Sequence, residues 1–559
     1  MERALGVYDE GVILAGAMRV AAGDIPHRDF YANYGPAQFY LLAALFKLFG
    51  QYAVIERMLD VLVRASIVTV CYGLTAAYCR KSIALAASVV CGLWLFSQAF
   101  YGYPIFPALL LLLLSAALIL PVLAGPISFW RLLGAGAGAG LVALFRYDVG
   151  FYVFVALGLA IGISAVLRHR DARQRISAAK TMLVPYVFGT SIVFLPAAIA
   201  YLAVAPIEPF IHDVFSFPLH YYARMRSMPF PGVLESMKSL DKSAVYLPLL
   251  ICCATAYSLA RGRADMRERG QAPSQPGVSE RDKGWFLVVF GLLAAVLYVK
   301  GLVRVSVIHM IASLIPSLLL LGALLERTLH QGRMMRAVVW MICALTIAAT
   351  LHASLQTVRY REGSSVLAKI LWSSSPAVDM TGSTWCGTPK ELRSVACFLM
   401  DSDRAQAARL VVQNTRPDER IFVGLTRHDK IFINDNITYF AAGRLPATRW
   451  HHFDPGLQTR ADIQAEIIAE LQAGDVRYIV LSLDWDNVTE PNESARSSGV
   501  NLLDEYIRKH YRPVRTYGTV SVWLRDPAPP RKPAALSRTS RALSWVTGAA
   551  IGPAGEGRP

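Results

Sequence analysis

The sequence predicts an α-helical polytopic membrane protein, with about ten transmembrane helices followed by an extracytoplasmic α/β domain. Three observations predict it. The chain is 54% hydrophobic and only 17% charged, too apolar for an ordinary soluble enzyme of 559 residues. Nearly uncharged runs recur at Ser82–Trp130, Thr181–Ile207 and Ala337–Leu355, each long enough to cross roughly 30 Å of hydrocarbon as helix. Strands of a membrane barrel would need polar residues at every second position, and these runs lack them.

The third observation is where the arginines fall. The net charge of +16 is concentrated in clusters between apolar runs: Arg168, Arg170, Arg173, Arg175 and Lys180; Arg261, Arg263, Arg267, Arg269, Arg281 and Lys283; Arg327, Arg333 and Arg336. Basic loops between spans mark the cytoplasmic side, so the charge implies topology and not a nucleic-acid partner. Spans are expected at 57–79, 82–100, 105–123, 131–146, 150–167, 181–204, 245–261, 284–303, 306–326 and 337–356. Residues 1–56, the turn Arg146–Asp148, the loop 205–244, the turn at Arg304 and everything after Leu355 then face outward, in a multi-pass protein of the plasma membrane.

Within the first segment, Gly35–Gly50 is apolar but short and is expected to lie along the membrane surface, as is Glu10–Ala22, stopped by Gly23 and Pro26. Domains are expected at 1–56, 57–356, 357–525 and 526–559. In the third, Arg420–Val423 and Tyr478–Leu483 read as strands, while Thr459–Ala473, stopped by Gly474, and Val500–Tyr511 read as helices. The last, rich in Pro, Ala, Arg and Ser, has too little patterned apolar surface to fold. Six of the eight cysteines lie in or beside apolar runs; Cys386 and Cys397 fall in the outer polar segment and are expected to pair.

Charged residues near a bilayer are costly unless solvated or used, which singles out the acids and bases at the outer ends of spans. The first loop carries Tyr8-Asp9-Glu10-Gly11, then Gly23-Asp24-Ile25-Pro26-His27-Arg28-Asp29-Phe30, then Tyr34-Gly35-Pro36. Arg146 and Asp148 stand in Phe145-Arg-Tyr-Asp148, and Lys300, Arg304 and His309 in Lys300-Gly-Leu-Val-Arg-Val-Ser-Val-Ile-His309. The order of these elements, the many spans and the outer domain resemble the GT-C superfamily of membrane glycosyltransferases, which use polyprenyl-phosphate sugars and carry an acidic motif in the first outer loop. Members that add arabinose or other sugars to lipids and polysaccharides, or mannose to proteins, look closest. The resemblance implies a transmembrane helix before the acidic pair, so an upstream in-frame apolar segment is expected.

The expected activity is transfer of a hexosyl or pentosyl group from a polyprenyl-phosphate carrier to an acceptor hydroxyl of a glycan, lipid or protein, with inversion implied by the resemblance. A hydroxyl is a poor nucleophile at neutral pH, so a carboxylate must take its proton; Asp9 is the expected base, with Glu10 beside it. Asp29, Arg146, Asp148, Lys300, Arg304 and His309 are the expected substrate-binding residues, arginine because its planar fork can donate two hydrogen bonds to phosphate. Four of them have a plainer account. Asp9 suits a helix start, Arg304 can anchor a helix end, His309 can pack, and Asp148 can simply pair with Arg146.

No zinc-ligand spacing appears, and a divalent ion held by carboxylates such as Asp9 and Asp148 stays open. Gly134–Gly140 alternates Gly and Ala inside a span, where small residues let helices approach; it is no phosphate loop. The residues His212, Asp213, His220, Tyr221, Tyr222, Arg224 and Arg226 suit either a loop closing over a sugar or an interfacial belt. His428-Asp429 and His451-His452 read equally as acceptor contacts or as exposed loop residues. A transporter or flippase of a lipid-linked saccharide, or a noncatalytic envelope-assembly subunit, is the competing reading.

Overall fold

A computed structural model describes residues 4–232, 234–235, 242, 244–269, 280–328, 332–362 and 388–527. Cys386 and the expected disordered tail from 528 onward lie outside them. Two units are separable, Met1–Arg525 and Asp526–Pro559.

Ten helices of the first unit form a bundle: α3 (Ala53–Ala76), α4 (Lys81–Ser97), α5 (Ile105–Ala124), α6 (Phe129–Phe145), α7 (Tyr147–Arg168), α8 (Ala172–Leu202), α10 (Leu247–Arg269), α11 (Glu280–Gly301), α12 (Val307–Thr328) and α13 (Arg333–Glu362). Most follow the expected spans within a few residues, while α8 starts well before the expected 181 and α10 runs well past the expected 261. Eight of these segments are long and apolar enough to cross a membrane, making this a multi-pass membrane protein. α4 and α6 are 17 residues each, about 26 Å of helix. The most enclosed is α12, which packs against α11, α10, α4 and α13. Small residues set the tightest crossing: a Cβ on Gly136 would strike the Tyr186 carbonyl of α8, and one on Gly189 the Leu133 carbonyl of α6. The alternating Gly–Ala run is thus a packing face.

The bundle has two distinct ends. At one, Arg80 pairs with Glu326 at 3.2 Å and Arg168 donates to the Gly125 carbonyl at 2.9 Å. At the other lie 98–104, Arg146, 203–232, 244–246 and 302–306, where Thr357 donates to the Ser97 carbonyl at 3.3 Å. The basic clusters sit at the first end.

Two short helices precede the bundle. α2 (Ala37–Phe49) leaves Tyr40, Leu41, Leu48 and Phe49 exposed, an apolar face fit for a membrane surface. α1 (Asp9–Ala21) differs from expectation: Glu10 through Val20 are all buried, between α2 and α15 (Ile437–Ala442). Gly11 makes this possible, since a Cβ there would meet the backbone of Asn436 and Ile437. Gly23 takes φ +106° where the chain leaves α1. The segment 205–244, expected as a loop, is helical over 207–226 (α9), with π-helical turns at His212–Ser216 and Pro218–Tyr222. Pro218 has no N–H to donate, which breaks the regular α pattern there.

The C-terminal region is an α/β layer. Four strands, β1 (Phe422–Leu425), β2 (Tyr478–Ser482), β3 (Tyr511–Tyr517) and β4 (Val520–Arg525), pair in the order β1-β2-β4-β3. β1 and β2 are parallel and the others antiparallel. α14 (Ser402–Asn414), α16 (Ala461–Ala473) and α17 (Leu502–His510) pack around it. The expected strands at 420–423 and 478–483 and helices at 459–473 and 500–511 are present with small shifts. Cys397 is disulfide-bonded, and the six cysteines in or beside apolar runs are free thiols.

Candidate functional site

The site forms where α1, the α6–α7 turn, α9, the α11–α12 turn and the α/β domain meet at the end of the bundle away from the basic clusters. Gly35 brings the first loop there. Its N–H donates to the Phe145 carbonyl at 3.1 Å, and the backbone approach leaves no room for a Cβ. Tyr34 is thereby set against the start of α1, where its hydroxyl donates to Asp9 Oδ1 at 3.1 Å.

Asp9 is the first residue of α1, and its carboxylate is partly buried. Burial pushes it above its ordinary pKa, against the Tyr34 hydrogen bond and the charges of Arg226 and Arg304; Asp454 adds to the rise. A carboxyl so placed is a stronger base than a solvated one. The plainer account of Asp9 as a cap does not describe it, because its side chain bonds to Tyr34 and the helix start carries no side-chain cap.

Around Asp9 stand the cations. Arg146 is held by Asp148 through two hydrogen bonds of 3.0 and 2.7 Å, and donates to the Tyr103 hydroxyl at 3.0 Å. Its guanidinium lies 5.5 Å from the centroids of both the Tyr34 and Tyr103 rings. Lys300 Nζ reaches the same Asp148 at 3.4 Å. His309 bonds Ser306 Oγ at 2.7 Å and lies in the field of Lys300, Arg304, Arg146 and Arg226. Arg304 forms a two-pronged pair with Glu490, one contact at 2.8 Å, and donates to the Arg226 carbonyl at 2.8 Å. Those Arg304 bonds hold the Glu490 carboxyl below its usual range although burial works the other way.

Five of the expected residues, Arg146, Asp148, Lys300, Arg304 and His309, thus gather at the end of the bundle that holds Asp9, where Arg304 acts on its charge and Arg146 stands against its partner Tyr34. Two others lie elsewhere. Glu10 points to the opposite side of α1, where Arg57 holds both its oxygens at 2.6 and 2.7 Å and the Gly6 N–H donates to it at 2.6 Å. A carboxylate 2% exposed, with both oxygens held by Arg57, is closed to an acceptor, so the expectation that it shares catalysis with Asp9 is not kept. Asp29 pairs with Arg28 at 2.7 Å and accepts from the Ile25 N–H at 2.7 Å, fixing the loop after α1.

The sequence reading missed the wall supplied by the α/β domain. Asp454 is buried and accepts from Tyr31 at 2.8 Å and from Arg226 at 3.2 Å, while Tyr8 donates to the Phe453 carbonyl at 2.9 Å beside His452. Burial opposes the Asp454 charge, yet His452 and Arg226 hold its carboxyl below the ordinary value. Tyr8 and Tyr34 stood in the quoted first-loop motif and Arg226 in 205–244; nothing in the sequence marked Tyr103, Asp454 or Glu490. His428, Asp429, His451 and His452 are buried and not exposed loop residues. Among the described residues no three His, Cys, Asp or Glu side chains gather as a metal set, and Asp148 already faces two cations, a poor donor for a divalent ion.

No protein-family model matches the chain, and no curated protein matches it. Solved structures do. ArnT from Cupriavidus metallidurans bound to undecaprenyl phosphate is similar over 93% of this chain and 94% of that one, at 13% identity and a TM-score of 0.43. Its apo state aligns over 94% of each chain at 13% identity and 0.39. The Archaeoglobus fulgidus oligosaccharyltransferase, tethered with an acceptor peptide containing the NVT sequon, is similar over 91% of this chain and 69% of that one, at 10% identity and 0.47.

Proposed function

We propose that the protein is a GT-C-type glycosyltransferase that moves a sugar from a polyprenyl-phosphate carrier to an acceptor hydroxyl. One observation carries this reading: a partly buried, basic carboxylate, Asp9, faces a group of cations that three separate stretches of chain deliver to one end of a membrane bundle. The basic clusters occupy the other end, so by the positive-inside rule the site faces outward.

In the reaction Asp9 accepts the proton of the acceptor hydroxyl as the oxygen attacks the anomeric carbon. The bond from that carbon to the phosphate oxygen breaks on the opposite face, its electron pair stays on the phosphate, and configuration inverts. The leaving phosphate gains negative charge, which nearby fixed cations lower in energy. Arg304 suits that role best, since its fork already grips a carboxylate, Glu490, that a phosphate can replace. Arg226 is its neighbour, and Asp148 keeps Arg146 and Lys300 oriented. The acceptor, a glycan, lipid or protein, enters from the side of Asp9 and the α/β domain, and the sugar is a hexose or a pentose.

The test is consumption of a synthetic polyprenyl-phosphate sugar by purified protein, with mass spectrometry of the product. Transfer by the wild type, slowed at least about a hundredfold in Asp9→Asn, is the expected result. Full transfer by Asp9→Asn would remove Asp9 as base. Carrier movement across vesicles without any transfer would favour a flippase.

A further inference from the structure

A second feature lies apart from Asp9. Between α10 and α13, both of which also lean on α12, a cleft of about 640 Å³ stays unfilled. Its walls include Leu250, Cys253 and Tyr257 of α10 and Met334, Met341 and Leu345 of α13. On each helix these positions fall on one stripe, the spacing at which facing helices normally interlock. Here the stripes stand apart. Among the described residues no charged side chain lines the cleft, so water entering it would find almost no partners. Its volume lies within the roughly 300–1,000 Å³ of ligand sites. Methionine walls adapt readily to an irregular chain. Met334, Met341, Leu250 and Tyr257 are exposed, so the opening faces sideways to the bilayer.

Charge marks one end of the cleft. Arg333 immediately precedes Met334, Arg336 follows the lining residue Met335, and Arg261 lies one turn beyond Tyr257, to whose hydroxyl it donates at 2.9 Å. All three arginines are exposed. They stand at the basic end of the bundle, one span length from Asp9. An apolar slot that ends in guanidinium groups matches a hydrocarbon chain that ends in a phosphate.

We propose that this cleft binds one anionic phospholipid of the bilayer, an acyl chain between α10 and α13 and its phosphate on Arg261, Arg333 and Arg336. The site is independent of the transferase reading, because it shares no residue with it.

The test uses the full chain, stripped of lipid in detergent and exposed to vesicles of phosphatidylglycerol or phosphatidylcholine, with bound lipid read by native mass spectrometry. One phosphatidylglycerol per chain is expected, retained about tenfold better than phosphatidylcholine. Arg333→Gln with Arg336→Gln should erase that preference. Ala254→Trp should abolish retention by filling the cleft, and Met341→Trp, changed at an exposed position, does the same without burdening the packed bundle. Phosphatidylglycerol should also shield the exposed Cys253 thiol from a maleimide. Equal retention of phosphatidylcholine, unchanged retention in both tryptophan variants, or displacement of phosphatidylglycerol by polyprenyl phosphate would each overturn the assignment.

Discussion

Asp9 and Glu10 are chain neighbours with nearly the same chemistry, yet α1 sends them to opposite surroundings. Glu10 meets a guanidinium squarely, is sealed from solvent and has both oxygens engaged. Asp9 meets one phenol at 3.1 Å and a spread of cations, and stays partly open. A carboxylate satisfied by a fixed partner holds structure together. One raised in pKa and left half-satisfied can take a proton from something that arrives.

The sharpest way to break this contrast is to neutralise each acid. Asp9→Asn should lower turnover by about 10²- to 10⁴-fold, measured as sugar transfer, with the folded protein intact by gel filtration. Glu10→Ala should strip the buried Arg57 of its two-pronged partner, leaving it Glu56 at 3.5 Å, and cost about 3 kcal/mol, read as loss of folded protein on heating.

Acidity sharpens it further. Since Asp9 titrates above an ordinary carboxyl, transfer should fall as pH drops through that raised value, and the acid limb should disappear in Asp9→Asn. For stability the sign is reversed. A folded pKa above the unfolded one contributes stability that is present below the unfolded value and lost as pH rises through the folded one. Asp9→Asn should therefore melt slightly higher than the wild type at neutral pH, opposite to Glu10→Ala, and an equal or lower melting point would count against a destabilised Asp9.

The smallest effect concerns Glu490. Glu490→Gln removes the charge that competes for Arg304, and the donor KM should fall roughly two- to fivefold, the worth of a partly exposed pair. An unchanged KM with an unchanged turnover would mean that the donor phosphate sits elsewhere.

How much of this could be read beforehand differs by region. The spans were legible because crossing a bilayer demands about 20 consecutive apolar residues, a signal no soluble segment imitates at such length. β2 was legible as an almost continuous apolar run, and all its residues are buried. The β3–β4 hairpin was not. β3 is an edge strand with five consecutive exposed positions and Pro513 within it, which reads as loop until β4 pairs with it. α1 reads as a surface helix because its apolar residues can equally face lipid or protein, and only the packing of Asn436–Ile437 against Gly11 decides between them.

For the site the division is the same. By itself the sequence determined that Asp9, Arg146, Asp148, Lys300, Arg304 and His309 stand at one end of the bundle, because alternation of spans fixes the end on which each turn emerges. Only the tertiary structure decided that Glu10 turns away to Arg57, and that Asp454 and Glu490, more than 400 and nearly 200 positions from the residues they oppose, close the site. Periodicity and hydropathy report on neighbours along the chain. A carboxylate's role depends on what faces it across space.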